Sequence, residues 1–240
     1  MERWWANVLA GTLFFSLVLG GMAIAKETSK IGVIVVDVQG DFTKFKSGAM
    51  AVEGTDEAYV KAVQDSTKKL RGAGFPIYAT QDWHPANHAS FFTSHRGMKA
   101  YDLIKLRGKD QILWPPHCVQ KTPGAEILVD KRLIKAVVKK GQDPQFDSYS
   151  GFQDEGGKKT GMDKILKKDG ITKLVIYGIA TDYWVSATAL DAVTAGLKVV
   201  LIQNLCRGVA PDTSLKAIEE MKAKGIVVLD KVDLERIKKN

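Results

Sequence analysis

The sequence predicts an α/β fold, a three-layer α/β/α sandwich around a central, mostly parallel sheet. Two observations carry this. Short β-branched runs alternate with segments of helical spacing, and those runs are apolar along their whole length, which calls for cover on both faces. The first run, Ile31–Val36, reads IGVIVV and stops at Asp37. Residues 56–71 have helical spacing through Tyr59, Val60, Val63 and Leu70, closed by Gly72 and Gly74. A strand over 75–80 completes one βαβ unit. Further strands are expected at 136–139, 173–177 and 198–202, helices at 161–168, 183–195 and 213–224, and a last strand at 226–229.

The 240 residues contain no Pro/Gly/Ser-rich linker and no internal repeat, so residues 26–240 read as one domain. The formal charge of +8 comes from lysines scattered along the sequence rather than from a basic block interleaved with aromatics. That pattern reads as solvated faces and sets nucleic acid aside as a partner. Residues 1–25 are of a different kind. Arg3 precedes an apolar run from Val8 to Leu19 broken by Thr12 and Ser16, and Ala23-Ile24-Ala25 supplies a small-x-small cleavage pattern. A signal peptide over 1–25 is expected, with export to a periplasm or the cell exterior and no stable membrane association once it is cleaved at Lys26. Left uncleaved, the same stretch approaches the length of a membrane anchor. Two cysteines, Cys118 and Cys206, read as small buried thiols, although a disulfide is permitted outside the cytoplasm.

Three of the four histidines fall near one aspartate: Asp82, His84 and His88 in QDWHPANHASFF, and His117 in LWPPHCVQKTPGA. In an extended segment residues two apart point the same way, so Asp82 and His84 converge on one point, and the turn at Pro85 and Asn87 folds His88 back. Imidazole and carboxylate together suit one divalent ion, Zn, Mn or Fe. His95 lies outside the cluster and is given no role.

Read together, VIVVDVQGDF, ATQDWHPANHASF, LWPPHCVQKTPGAE, VVKKG followed by SYSGF, and GIATDYWVSATALDA followed by CRGV resemble the nicotinamidases of the isochorismatase-like cysteine hydrolase superfamily. The likeness runs in order from about Ile31 to Val228. It implies a small aromatic amide as substrate, a resident metal, and a triad of aspartate, lysine and cysteine. Its aspartate falls on Asp37 as general base, and its lysine on Lys140, which keeps that base ionised. The cysteine position falls on Trp184, because the family reads ATDYCV where this chain reads ATDYWV. The resemblance further implies a cis peptide at Ile179-Ala180, an oxyanion hole from the backbone N–H groups of Ala180 and residue 184, and aromatic stacking of the substrate ring on Phe42 and Trp114. Trp83 fits either the ring wall or the core.

Indole offers a ring N–H donor and no nucleophile comparable to a thiolate, so the covalent route cannot run through Trp184. Three functions therefore stand side by side: a nicotinamidase-type amidohydrolase altered at position 184, a metal-containing small-molecule-binding homologue without turnover, and hydrolysis by a metal-activated water. The sequence leaves self-association into a homo-oligomer open.

Overall fold

The computed structural model describes residues 30–240. The expected signal peptide lies outside these residues. Six strands form one sheet in the order β5-β2-β1-β6-β7-β8, with β1 at Ile31–Val36, β2 at Ile77–Asp82, β5 at Ile134–Lys140, β6 at Lys173–Ile179, β7 at Lys198–Arg207 and β8 at Val227–Leu229. Every pairing in it is parallel. β1 and β6 are buried at every position, as strands covered on both faces must be. β5 is the outer strand, and its exposed positions include Lys135 and Lys139, charges that discourage edge-to-edge pairing.

Helix α1, Glu57–Gly72, begins where Asp56 accepts the N–H of Tyr59, and it buries Tyr59, Val60, Val63, Thr67 and Leu70 along one stripe. The other helices are α2 at Met162–Lys168, α3 at Ser186–Thr194, α4 at Pro211–Ala223 and α5 at Leu234–Lys239. Gly178 sits at φ 141° where β6 runs against β1, and a Cβ there would collide with the backbone of Val36.

The structure moves several expected boundaries. β2 starts at Ile77 and runs to Asp82, because Gly74 and Pro76 hold the chain in a turn before it. β7 continues five residues past Ile202, to Arg207, through a register shift near Gly178. The helix expected over 183–195 becomes regular only at Ser186; Thr181–Val185 form a wider π turn that carries Trp184. A hairpin of β3, Leu103–Leu106, and β4, Lys109–Ile112, was not expected, nor was α5. The hairpin residues alternate charge with isolated apolar side chains and lack a long β-branched run.

Sheet order reverses beside β1, which pairs with β2 on one side and β6 on the other. Crevices at the carboxyl ends of strands beside such a switch are where open parallel sheets take ligands. Asp37 follows β1, Asp82 and Lys140 end β2 and β5, and Thr181 follows β6.

Candidate functional site

Asp82 and Lys140 are direct register partners at the ends of neighbouring strands, which sets their side chains together. Lys140 Nζ lies 2.5 Å from Asp82 Oδ1 and 2.9 Å from Asp37 Oδ2, and donates to the Ser148 carbonyl at 2.8 Å. All three side chains are buried. Asp37 occupies the left-handed region at φ 46°, an uncommon conformation for a non-glycine residue. Thr80 holds it there: its hydroxyl accepts the Asp37 N–H at 3.2 Å and donates to Asp37 Oδ1 at 2.7 Å.

Burial penalises the Asp37 carboxylate more than Lys140 rescues it, and Asp82 adds repulsion, so its pKa rises to about 6. Burial also works against the Asp82 carboxylate, but Lys140 and His84 outweigh it and hold the group below its ordinary range. Lys140 is raised, because the two carboxylates overcome the burial that would lower it. With both carboxylates ionised against one ammonium there is a buried excess of negative charge, which a proton on Asp37 or a further cation nearby removes.

A place for such a cation adjoins. Ligand atoms of Asp82, His84 and His117 all lie within 4.8 Å of one another. His84 Nε2 is 3.5 Å and His117 Nε2 3.9 Å from Asp82 Oδ2. Asp82 Oδ2 and His84 Nε2 are buried with no hydrogen-bond partner. The second nitrogen of each ring is held by a backbone carbonyl, Nδ1 of His84 by Gly141 at 2.9 Å and Nδ1 of His117 by Pro115 at 2.7 Å. A carbonyl only accepts, so Nδ1 carries the proton and Nε2 presents its lone pair, the tautomer a metal needs. Gly141 is required here: its φ is 64°, and a Cβ would strike the His84 ring. Burial, then the neighbouring His84, pushes the His117 pKa down to about 4, which keeps that ring neutral as a ligand must be.

His88 stands apart from this set. Its Nδ1 accepts the Ser90 N–H at 3.2 Å and lies 2.7 Å from the Ser90 hydroxyl, and its Nε2 donates to the Phe146 carbonyl at 3.1 Å. Both nitrogens are engaged, so in this arrangement the ring backs His84, 4.4 Å away between centroids, rather than offering a lone pair.

The other half of the site is aromatic. Trp184 is 1% exposed, with ring centroids of Phe42 at 4.8 Å, Tyr183 at 5.7 Å and Trp114 at 6.1 Å. Lys140 Nζ lies 5.7 Å from the indole centre. The peptide Ile179-Ala180 is cis, and the Ala180 carbonyl accepts the N–H groups of Tyr183 and Val185 within the π turn. Neither cysteine offers a thiolate: both are free and buried, and burial pushes Cys206 up to about 12 and raises Cys118 further from ionisation. Trp83 lies under Lys139 Nζ, 3.8 Å from its ring centre, outside the ring wall. His95 Nε2 turns to the Ala89 carbonyl at 2.7 Å, away from the cluster.

Sequence reasoning missed Thr80, Gly141 and Gln39. The Gln39 amide donates to the Asp82 carbonyl at 2.9 Å and accepts the Asp82 N–H at 2.8 Å, clamping the ligand's backbone from both sides. The signal that could have found it was its place in VDVQGDF.

Comparison with known proteins agrees with this geometry. The isochorismatase domain family matches residues 32–233. A nicotinamidase of Escherichia coli K12 is 40% identical over 208 residues, 85% of this chain and 96% of that protein. The solved pyrazinamidase of Pyrococcus horikoshii in complex with zinc superposes with a TM-score of 0.68 at 38% identity, covering 83% of this chain and 98% of that one. The yeast nicotinamidase bound to the inhibitor nicotinaldehyde reaches 0.76 at 33% identity, over 84% of this chain and all of that one.

Proposed function

The chain belongs to the isochorismatase domain family, and from that premise we propose that its site is of nicotinamidase type, shaped for deamidation of nicotinamide or a close aromatic amide, with the covalent step closed by Trp184. The observation that carries this reading is the buried Asp37–Lys140 pair, 2.9 Å apart, set beside the converging atoms of Asp82, His84 and His117. Relatives that are nicotinamidases, and one solved with zinc, support it.

Asp82, His84 and His117 would hold one divalent ion, and the donor set of one carboxylate and two imidazoles fits Zn, Mn or Fe. When bound, that ion supplies positive charge for a polar atom of the substrate and balances the buried carboxylates. Asp37 would act as the base that takes a proton from a nucleophile at position 184, and Lys140 draws the carboxylate toward its ionised form. Backbone N–H groups at Ala180 and residue 184 would receive the charge that develops on the amide oxygen. Phe42 and Trp114 are the ring walls.

Trp184 changes what this machinery does. Its indole lies between Phe42 and Trp114 and so fills the slot in which an aromatic amide would stack. No thiol stands in its place, and Cys118 and Cys206 are buried as neutral groups. The chain as written is therefore a metal-holding homologue without thioester turnover, and a second effect of Trp184 is to weaken amide binding. Ammonia release from nicotinamide by the chain and by Trp184→Cys tests this. Turnover only in the variant supports it; turnover at similar rates in both would overturn it.

Export belongs to the same proposal: a mature chain beginning near Lys26, in a periplasm or outside the cell. Intact mass of the purified native protein decides it, and a mass that includes Met1 would reject cleavage.

A further inference from the structure

Six basic residues far apart in sequence stand at one end of the sheet. Because all six strands run parallel, their amino ends share one end of the molecule, opposite the site. Helices α1, α2 and α4 each link two such strands, so their carboxyl ends return there. Lys30 precedes β1 and Lys198 opens β7; Thr172 stands between them, donating its N–H to the Lys30 carbonyl at 3.0 Å and accepting that of Lys198 at 3.1 Å. Arg71, Lys168 and Lys224 stand at the ends of α1, α2 and α4. Lys238 joins them from α5, whose last carbonyls are tied down by the buried ammonium of Lys173 at 3.1 and 3.2 Å.

All six of these cations are exposed. Lys238 has Glu235 at 4.0 Å; the other five have no carboxylate that close among the described residues. Of the acids at this end, Glu235 faces Lys238, and Asp169 is already taken by Lys135 at 2.6 Å and by the Tyr78 hydroxyl at 2.5 Å. Helix dipoles favour cations at carboxyl-terminal turns, which accounts for Arg71, Lys168 and Lys224. They do not account for Lys30 and Lys198, which stand at strands.

The chain also enters here. Ten residues, 20–29, separate the apolar run ending at Leu19 from Lys30, a tether of about 35 Å at full extension. An apolar run placed in a bilayer, whether before cleavage or as an anchor, would keep this end within about 35 Å of the lipid surface. Among the described residues the exposed rings are Phe45 and Tyr101, which belong to the segments beyond the carboxyl ends of the strands and not to this face, where a nucleic acid binder would place stacking rings.

We propose that the amino end of the sheet is a docking face for an anionic lipid bilayer, its unpaired lysines and arginine meeting the phosphate headgroups. Such contacts are peripheral, reversible and screened by salt.

Residues 26–240 contain the whole family match, residues 32–233, and serve for the test. They should co-sediment with vesicles of phosphatidylglycerol and phosphatidylcholine but not with phosphatidylcholine alone, and should be released in about 1 M NaCl, where the screening length falls to about 3 Å. The triple variant Lys168→Glu, Lys198→Glu, Lys224→Glu should bind at least about tenfold more weakly. A control triple at the other end, Lys46→Glu, Lys121→Glu, Lys158→Glu, carries the same change in net charge and should stay within about twofold. No binding to anionic vesicles, equal binding to neutral ones, or equal loss in the two triples would overturn the proposal. So would tighter binding to duplex DNA than to vesicles, lost in the first triple, which would assign the face to nucleic acid instead.

Discussion

The two halves of the site obey different constraints. In the charged half, Asp37 and Asp82 share Lys140 at 2.9 and 2.5 Å, and the Nε2 atoms of His84 and His117 converge on Asp82 Oδ2 at 3.5 and 3.9 Å. In the aromatic half, Trp184 touches Phe42, Trp114 and Tyr183 by packing alone. Removing one member of a buried charge network strands the rest, whereas an aromatic pocket accepts another ring of suitable volume. The comparison teaches where each change is felt: a change at residue 184 alters packed volume and the chemistry available there without stranding a charge, whereas a change at Asp37, Asp82 or Lys140 leaves a buried charge without its partner.

The largest effect expected follows from reversing the loss. Trp184→Cys should bring nicotinamide deamidation up from background, by a factor on the order of 10⁶ in kcat if the thiol acts as a unit with Asp37. The same change should lower stability by about 3–5 kcal/mol, because an indole-sized volume is emptied. Ammonia release and thermal unfolding measured on one preparation separate the two; a folded, metal-loaded and silent variant would show that the charged half is not preorganised for this reaction.

Metal content sharpens the contrast next. Elemental analysis should find about one divalent ion per chain, near none in His84→Ala and His117→Ala, and most of it retained in His88→Ala. Equal loss in all three would place His88 among the ligands after all.

Lys140→Met should destabilise the protein by about 3–5 kcal/mol by leaving two buried carboxylates without their cation. Denaturant midpoints check this, and a cost below that of Phe42→Leu would reverse the ranking of the two halves.

Asp37 gives the pH dependence. In the metal-free protein its carboxyl is raised from 3.8 to about 6, so the folded state holds the proton more tightly than the unfolded one. Stability from this group is full below about pH 4 and declines as pH rises toward 6, with the opposite slope expected from the lowered Asp82. In metal-loaded Trp184→Cys the bound cation would offset the Asp82 repulsion, so kcat should rise with pH as Asp37 loses its proton, with a midpoint below about 6. Asp37→Asn should abolish both the turnover and that part of the slope. The smallest effect is Thr80→Val, about 1–3 kcal/mol for the two hydrogen bonds it removes from Asp37.

Much of the site could be read in the chain because its donors are local in sequence. Asp82 and His84 sit two apart at a strand end, a spacing whose meaning survives without the fold, while the roles of Asp37 and Lys140 came from the family resemblance. Gln39, Thr80 and Gly141 could not be read this way. They act through backbone atoms of residues brought to them by β1, β2 and β5, and no spacing in sequence encodes such a meeting. His88 shows the reverse case, since its spacing marked it as a ligand while Ser90 and Phe146 engaged its nitrogens.

The sequence by itself determined the α/β class, the alternation that makes the sheet parallel, the family, and the absence of a cysteine at position 184, because each is a matter of residue type and periodicity. Tertiary structure decided which histidines share a point, that Trp184 is buried against Phe42 and Trp114, and that Lys30, Lys198 and the helix-end cations stand at the amino end of the sheet. Those are consequences of strand order and direction. A parallel sheet sends every strand's carboxyl end to one side and every amino end to the other, so it sorts residues by where they stand in their elements and not by their distance in sequence.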